Sequence, residues 1–96
     1  MSETIDGLTI AFTEDGIETV RESGKQVLSK GAWTTILYRY QDWDRTKQVY
    51  GPTKYSIRRY QKRNNQYWQK SKFNISSDEQ ARKIIEILNN WLNETP

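Results

Sequence analysis

The central part of the chain contains three runs that alternate in the manner of β-strands, and this pattern limits the fold more than any other feature. The runs cover residues 33–43, 54–63 and 66–75. They are rich in aromatic and β-branched side chains, which strands favour. Gly51-Pro52 and Asn64-Asn65 separate them, and both pairs are typical of turns. The pattern predicts an antiparallel sheet.

An N-terminal hairpin is predicted ahead of this region. Residues 8–13 alternate between apolar and small or polar side chains, which is typical of a half-buried strand. Asp15-Gly16 follows, and glycine supplies the positive φ that tight hairpin turns need. Residues 17–23 are then the return strand, with a short helix as the weaker alternative. Gly24 is expected to break this strand before a second short one.

A single amphipathic helix is predicted at residues 76–93. Ser76 and Glu79 have the spacing of a capping box. Apolar side chains recur at helical spacing at Ala81, Ile84, Ile85, Leu88, Trp91 and Leu92. Ile87 widens this stripe, so we expect Ile87 and Trp91 to contact a second copy in a homodimer. The alternative is one helix packed on its own sheet.

The expected fold is therefore α+β: a curved antiparallel β-sheet of four to six strands followed by one C-terminal amphipathic helix. A chain of 96 residues is one domain. Its parts are an acidic N-terminal hairpin at 1–24, a basic aromatic sheet at 25–75 and the helix at 76–93.

The pairing of the last two runs decides which side chains share a face of the sheet. A strict two-residue turn at Asn64-Asn65 places Ile57 beside Lys72, whereas a longer loop or a β-bulge shifts the parity by one. We favour the shifted register because it gathers a core face of Tyr55, Ile57, Phe73 and Ile75. The opposite, open face then carries Arg58, Tyr60, Lys62, Trp68, Lys70 and Lys72.

Charge is distributed unevenly along the chain. Residues 1–24 carry a net charge of −5, residues 25–73 carry +10 and residues 74–96 carry −2. The central block has the electrostatic character of a surface that binds a polyanion. A solvated sheet face, neutralised by acidic neighbours, is the alternative.

Several kinds of chemistry lack their usual residues. The chain has no histidine and no cysteine, and it has no glycine-rich phosphate loop. Asp42 and Asp44 flank Trp43 and are candidates for binding a divalent ion, but two carboxylates in a charged loop more often only solvate it. We expect no enzyme activity, no metal or other cofactor and no small-molecule substrate. Without an apolar run long enough for a membrane span, or a signal peptide, a cytoplasmic protein without membrane contact is expected.

Two segments carry a resemblance to a known family. Residues 38–44 read Tyr-Arg-Tyr-Gln-Asp-Trp-Asp, and residues 73–80, Phe-Asn-Ile-Ser-Ser-Asp-Glu-Gln, open the terminal helix. Over residues 25–92 the chain resembles the positive cofactor four coactivators, whose superfamily includes the Whirly proteins and small bacterial members. The resemblance implies a curved sheet with a helix, dimerisation, single-stranded DNA binding and transcription regulation. Trp43 matches the family's stacking tryptophan.

The family's sheet cations correspond in a general way to Arg58, Lys62, Lys70 and Lys72. The chain departs from the family in its longer segment, with an extra hairpin, between Trp43 and the helix.

The leading hypothesis is a protein that binds single-stranded nucleic acid, DNA rather than RNA, on the basic aromatic face. Bases would stack on Tyr60 and Trp68, with Tyr38, Tyr40 and Trp43 as further stacking residues. Phosphates would contact Arg58, Lys62, Lys70 and Lys72.

The alternative hypothesis is a protein-interaction or assembly module with the same fold and no nucleic-acid role. In that case the acidic N-terminal segment would cover the basic face. A segment lying across Tyr60 and Trp68 favours assembly, and an uncovered concave face favours binding.

Overall fold

The computed structural model describes residues 3–94 as one curled antiparallel sheet followed by one helix, which confirms the expected α+β fold. The elements are β1 (Phe12–Glu14), β2 (Ile17–Ser29), β3 (Trp33–Asp44), β4 (Val49–Tyr50), β5 (Lys54–Arg63), β6 (Gln66–Ile75) and α1 (Asp78–Leu92). The order in the sheet is β1-β2-β3-β5-β6, and β4 pairs with the end of β3. β6 is the last strand in this order and therefore forms one edge of the sheet.

Two tight turns set the hairpins, and both were predicted from their residue types. Asp15-Gly16 joins β1 to β2 with φ angles of 52° and 78°, and Asn64-Asn65 joins β5 to β6 with φ angles of 52° and 63°. Two consecutive residues with positive φ form a type I′ turn, whose twist matches that of the flanking strands. The residue types therefore identified both turns correctly.

The N-terminal region departs from the prediction at two places. Residues 8–11 are not a strand, because β1 begins only at Phe12. Gly24 is not a break, because β2 continues through it with a bulge between Glu22 and Gly24. Arg39 shows why glycine is suited to this position: a Cβ at residue 24 would lie only 3.2 Å from Arg39 Nε.

The core lies on one face of the sheet, which we call the inner face. Residues 5–10, which we call the N-terminal strap, pack against it. Leu8 of the strap is buried, and Ile5 and Ile10 pack beside it. The sheet contributes Ile36, Tyr38, Tyr60 and Tyr67 to this cluster. Apolar residues of the strap therefore take the place of a second layer over the sheet.

Both registers that the sequence allowed occur in the β5–β6 hairpin. Strict pairing holds near the turn, where Arg63 lies opposite Gln66. A bulge between Arg59 and Tyr60 shifts the parity farther along the strands, so that Ile57 lies opposite Phe73 as predicted. The predicted faces are therefore correct only on the far side of the bulge.

The predicted assignment of core and open face was wrong. Ile57 and Phe73 share the opposite side of the sheet, which we call the outer face, and Phe73 is 53% exposed. The tyrosine-rich face is buried instead, because the strap covers it. Of the predicted core residues only Ile75 is buried.

The helix begins one residue later than the capping-box prediction implied. Ser77, not Ser76, is the N-cap, and its Oγ accepts a hydrogen bond from Gln80 N at 3.1 Å. Gln80 Oε1 accepts one in return from Ser76 N at 3.2 Å. The glutamine therefore has the role expected of Glu79.

Helix α1 packs loosely on the sheet. None of its residues is buried, although its apolar stripe is pronounced. A groove of about 440 Å³ separates Ile84 and Ile85 from Leu37 and Ile57 of the outer face. The alternative prediction, one helix packed on its own sheet, agrees with this arrangement, although the packing is loose. Within residues 3–94 no helix is long and apolar enough to cross a membrane.

Candidate nucleic-acid interface

Three of the predicted stacking residues are buried in the core. Tyr38, Tyr40 and Tyr60 lie on the inner face with 0%, 7% and 4% of their surface exposed. The hydroxyls of Tyr38 and Tyr60 share a hydrogen bond of 2.9 Å. Burial raises the pKa of both phenols, so both rings stay neutral across the physiological range. In this conformation none of the three rings presents a face to a nucleobase.

A lysine holds the strap over these tyrosines. Lys25 Nζ donates to the carbonyl oxygens of Ile5 and Leu8 at 2.6 Å each, and to that of Asp6 at 3.3 Å. Lys25 lies opposite Tyr38 in the register of β2 and β3. Glu22 also holds the strap, since its carboxylate accepts from Thr9 Oγ1 at 2.7 Å and from Ile10 N at 3.2 Å. The strap lies over Tyr60, as the assembly hypothesis expected, but not over Trp68.

Three of the four cations predicted for the open face, Arg58, Lys62 and Lys72, lie on the inner face. Arg58 is partly buried and donates through Nε to Ser56 Oγ and through Nη1 to Gln69 Oε1, both at 2.9 Å. Lys72 lies opposite Arg58 and is exposed. Lys62 lies with its ammonium 5.6 Å from the Tyr67 ring centroid. Arg58 is therefore bound within the sheet, whereas Lys62 and Lys72 are exposed.

Trp68 does not share a face with Tyr60, which corrects the predicted grouping. It lies opposite Gln61, whereas Tyr60 lies opposite Gln69. Lys70 is the residue that the bulge leaves between two paired positions. The strict register near the turn places Trp68 on the outer face, where it is 41% exposed.

The outer face near the β5–β6 turn contains functional candidates that the sequence analysis did not identify. Trp33 lies opposite Gln61 on the side away from Trp68, and it is also 41% exposed. The guanidinium of Arg59 lies 4.6 Å from the Trp33 ring centroid. We call this surface the outer patch, and it comprises Trp33, Arg59, Gln61, Arg63, Trp68 and Lys70. Only the strict register, which the sequence analysis set aside, reveals this grouping.

Trp43 belongs to a separate cluster at the opposite end of β3. Its ring meets that of Tyr50 edge to face, with centroids 5.0 Å apart. The guanidinium of Arg21 lies 3.6 Å from the Tyr50 centroid, and the Tyr50 hydroxyl donates to Glu18 O at 2.8 Å. Trp43 Nε1 is buried without a hydrogen-bond partner among residues 3–94. These contacts make Trp43 part of the local packing.

The two aspartates beside Trp43 have structural partners. Asp42 forms an ion pair with Lys54 at 3.1 Å, and Asp44 accepts from the backbone N–H groups of Thr46 and Lys47. In the described part of the chain no group of three or more acidic side chains lies close enough together to hold a metal ion.

The β5–β6 hairpin is the most positive part of the surface. Residues 54–73 contain seven lysines and arginines and no acidic residue. Among residues 3–94 the one ion pair to this segment is that of Lys54 with Asp42. The positive charge near the turn is therefore not neutralised by neighbouring carboxylates.

The two residues predicted for the dimer interface differ in exposure. Ile87 is partly buried against its own chain, whereas Trp91 is 64% exposed. Ile85, Leu88 and Leu92 are exposed as well.

Comparison with known proteins gives no relative for this chain. No protein-family model, no curated protein and no solved structure matches it.

Proposed function

We propose that this protein binds single-stranded nucleic acid through the β5–β6 hairpin. The observation that carries the proposal is the charge of residues 54–73, where seven cations occur without an acidic residue and an exposed tryptophan lies among them. Cations near a strand contact its phosphates, and aromatic rings stack on its bases. Both components of a single-strand site are present on one hairpin.

Single strands suit this surface better than duplexes. The exposed Trp68 requires an unpaired base for stacking. Helix α1 offers no basic face to a major groove, since its Arg82 and Lys83 stand beside Glu79 and Glu86. The resemblance to the positive cofactor four family favours DNA over RNA, and it makes transcription regulation in the cytoplasm of a bacterium part of this proposal.

A homodimer is part of the same proposal. The stripe of α1 and the neighbouring outer face leave Phe73, Ile85, Leu88 and Trp91 exposed. An exposed apolar patch of this kind marks an interaction site. A second copy offers the same stripe to the first, as a twofold interface requires.

The assembly hypothesis keeps one observation in its favour. The strap lies across Tyr38 and Tyr60, so the inner face is already occupied by the chain itself. If the hairpin binds no nucleic acid, the exposed stripe of α1 becomes the main candidate for the protein's activity, as a surface for self-association.

The proposal is tested by titrating the purified protein with a 20-base oligothymidine carrying a fluorescent label, at three salt concentrations. Anisotropy of the label reports binding without depending on tryptophan emission. We expect micromolar or tighter binding, with log affinity falling by about 0.7 per phosphate contact for each tenfold rise in salt. Four contacts would give a slope of about −3.

Two charge variants make this test specific. Changing Arg63 and Lys70 together to alanine should weaken binding and reduce the slope by about 1.4. The matched control is Lys83→Ala, which removes an exposed cation from α1 that pairs with Glu86. Absence of binding by the wild-type protein at low salt would refute the proposed function.

A further inference from the structure

The outer patch has the composition and exposure of a base-stacking site, although no part of the family resemblance assigns it. Trp33, Gln61 and Trp68 form a row across β3, β5 and β6. Neighbouring strands lie about 4.8 Å apart, so the backbone positions of the two tryptophans are separated by about 10 Å. Both rings are 41% exposed. The patch therefore offers two aromatic surfaces in one line.

Positive charge surrounds this row. Arg59 lies against the Trp33 ring, and Arg63, Trp68 and Lys70 line a shallow hollow of about 280 Å³ with Asn64. The cation–π contact of Arg59 keeps the Trp33 ring in place, and it places the charge of Arg59 beside that ring. No acidic residue occurs between residues 54 and 73. A ligand that combines flat rings with negative charge is complementary to this surface.

We infer that Trp33 and Trp68 stack two bases of one nucleic-acid strand that crosses β3, β5 and β6 on the outer face, with Arg59, Arg63 and Lys70 at its phosphates. The inference rests on the proposed function and names the site where it takes place. Successive stacked bases rise only 3.4 Å along a strand. Bases that reach two rings whose backbone positions are about 10 Å apart are separated from each other, and a duplex does not offer such bases.

The inner face is the competing path for the strand, and the structure argues against it. Its central rings are covered by the strap, and the strap brings Asp6 to that side of the sheet. A nucleic-acid strand on the inner face would contact the charges of Lys62 and Lys72 but would have no stacking surface there. Variants of the two faces should consequently have different effects on binding.

The experiment compares Trp33→Ala, Trp68→Ala and the double change of Lys62 and Lys72 to alanine, using labelled oligothymidine of 20 bases. Stacking energies per base correspond to affinity losses of about 5- to 150-fold for each tryptophan variant. An abasic deoxyribose-phosphate oligomer of equal length should bind more weakly than oligothymidine to the wild type. It should also bind almost equally to the wild type and to Trp33→Ala.

Failure of the site is distinguishable from failure of the function. Oligothymidine that binds the wild type, with Trp33→Ala within twofold of it, overturns the two-tryptophan site and leaves the proposed function standing. An abasic oligomer that binds the wild type as tightly as oligothymidine does overturns stacking as a whole. A wild type without affinity at low salt overturns both.

A second measurement avoids dependence on the folding of variants. Oligodeoxyuridine containing 5-iodouracil is cross-linked to the wild-type protein with ultraviolet light, and the modified peptides are identified by mass spectrometry. We expect adducts at Trp33 and Trp68. Adducts confined to the inner face, near Tyr67 or Lys72, would overturn the inference.

Trp33→Phe, which keeps a ring, should retain most of the affinity that Trp33→Ala loses.

Discussion

The hydroxyl pair of Tyr38 and Tyr60 is the main polar contact inside the core. Both phenols have pKa values raised above the ordinary 10.0, chiefly because burial disfavours the charged form. Above about pH 10 the unfolded chain loses these protons while the native state keeps them. Unfolding then releases protons, so stability falls as pH rises, by up to about 1.4 kcal/mol per pH unit for each such tyrosine.

Tyr38→Phe tests this pair. At neutral pH the variant should lose about 0.5–1.5 kcal/mol of unfolding free energy, because the hydrogen bond to Tyr60 is gone. Its stability should decline less steeply above pH 10 than that of the wild type, as measured by urea unfolding at a series of pH values. Tyr50→Phe, which lies outside the pair, is the control. An alkaline slope unchanged by Tyr38→Phe would contradict the role of burial.

Two charged side chains, Lys25 and Glu22, hold the strap by hydrogen bonds, and the contribution of Lys25 can be tested separately. Lys25→Met keeps the length of the side chain but removes the donor to the carbonyls of Ile5 and Leu8. Since hydrogen bonds to a charged group contribute about 1.5–3 kcal/mol, we expect residues 5–10 to exchange their amide hydrogens faster. Hydrogen exchange followed by mass spectrometry measures this.

Lys30→Met is the control for Lys25→Met, because Lys30 is exposed at the end of β2. Equal protection of the strap in wild type and Lys25→Met would mean that apolar packing and the Glu22 hydrogen bonds hold it without the ammonium group. The core would then depend on Leu8 far more than on Lys25.

At the scale of whole elements, the β5–β6 turn fixes which side chains meet on each face. Asn65 has a φ of 63°, a region that glycine and asparagine tolerate and β-branched residues avoid. Asn65→Gly should leave the unfolding free energy equal or slightly higher, whereas Asn65→Val should lower it by about 1–2 kcal/mol. Thermal or urea unfolding of the two variants gives the comparison. Equal stability of both would show that the turn does not hold the register.

The sequence predicted the elements better than the faces. Alternation identified the central strands, and Asp15-Gly16 and Asn64-Asn65 identified the turns, because each depends on local residue preferences. The bulge between Arg59 and Tyr60 has no such local signal. A single register shift along the whole hairpin, as predicted, groups Trp68 with the wrong residues.

The candidate site was predicted only in part for a related reason. Tyr38 and Tyr60 are aromatic and stand beside cations, so their local sequence resembles that of a stacking surface. Their burial results from Leu8, which is distant in sequence and was interpreted as part of a half-buried strand. Trp33 was not identified because its partner across the sheet depends on the strict register near the turn. Long-range packing, which single-residue patterns do not encode, decided both outcomes.

Charge is segregated across the whole molecule. The net charge of +3 combines a hairpin without acidic residues and an N-terminal region with a net charge of −5. In the structure the strap lies on the inner face, and the outer patch lies on the opposite face. A polyanion is therefore attracted to the outer face and the hairpin tip, and this attraction weakens as salt shortens its range to about 8 Å at physiological ionic strength.

In one copy of the chain the apolar stripe of α1 is only partly covered by other residues. A helix of 15 residues without a buried side chain has little to stabilise it, since short helices depend on packing of their apolar face. We therefore expect the protein of 11.4 kDa to elute as a dimer of about twice that mass in size-exclusion chromatography with light scattering.

Leu88→Glu should yield monomers and reduce helix content, because it places a charge within the stripe. Asn90→Glu adds the same charge on the opposite side of α1 and should leave the dimer intact. A wild-type monomer with a stable helix would show that packing along Ile57 and Ile84 suffices to hold α1 on the outer face.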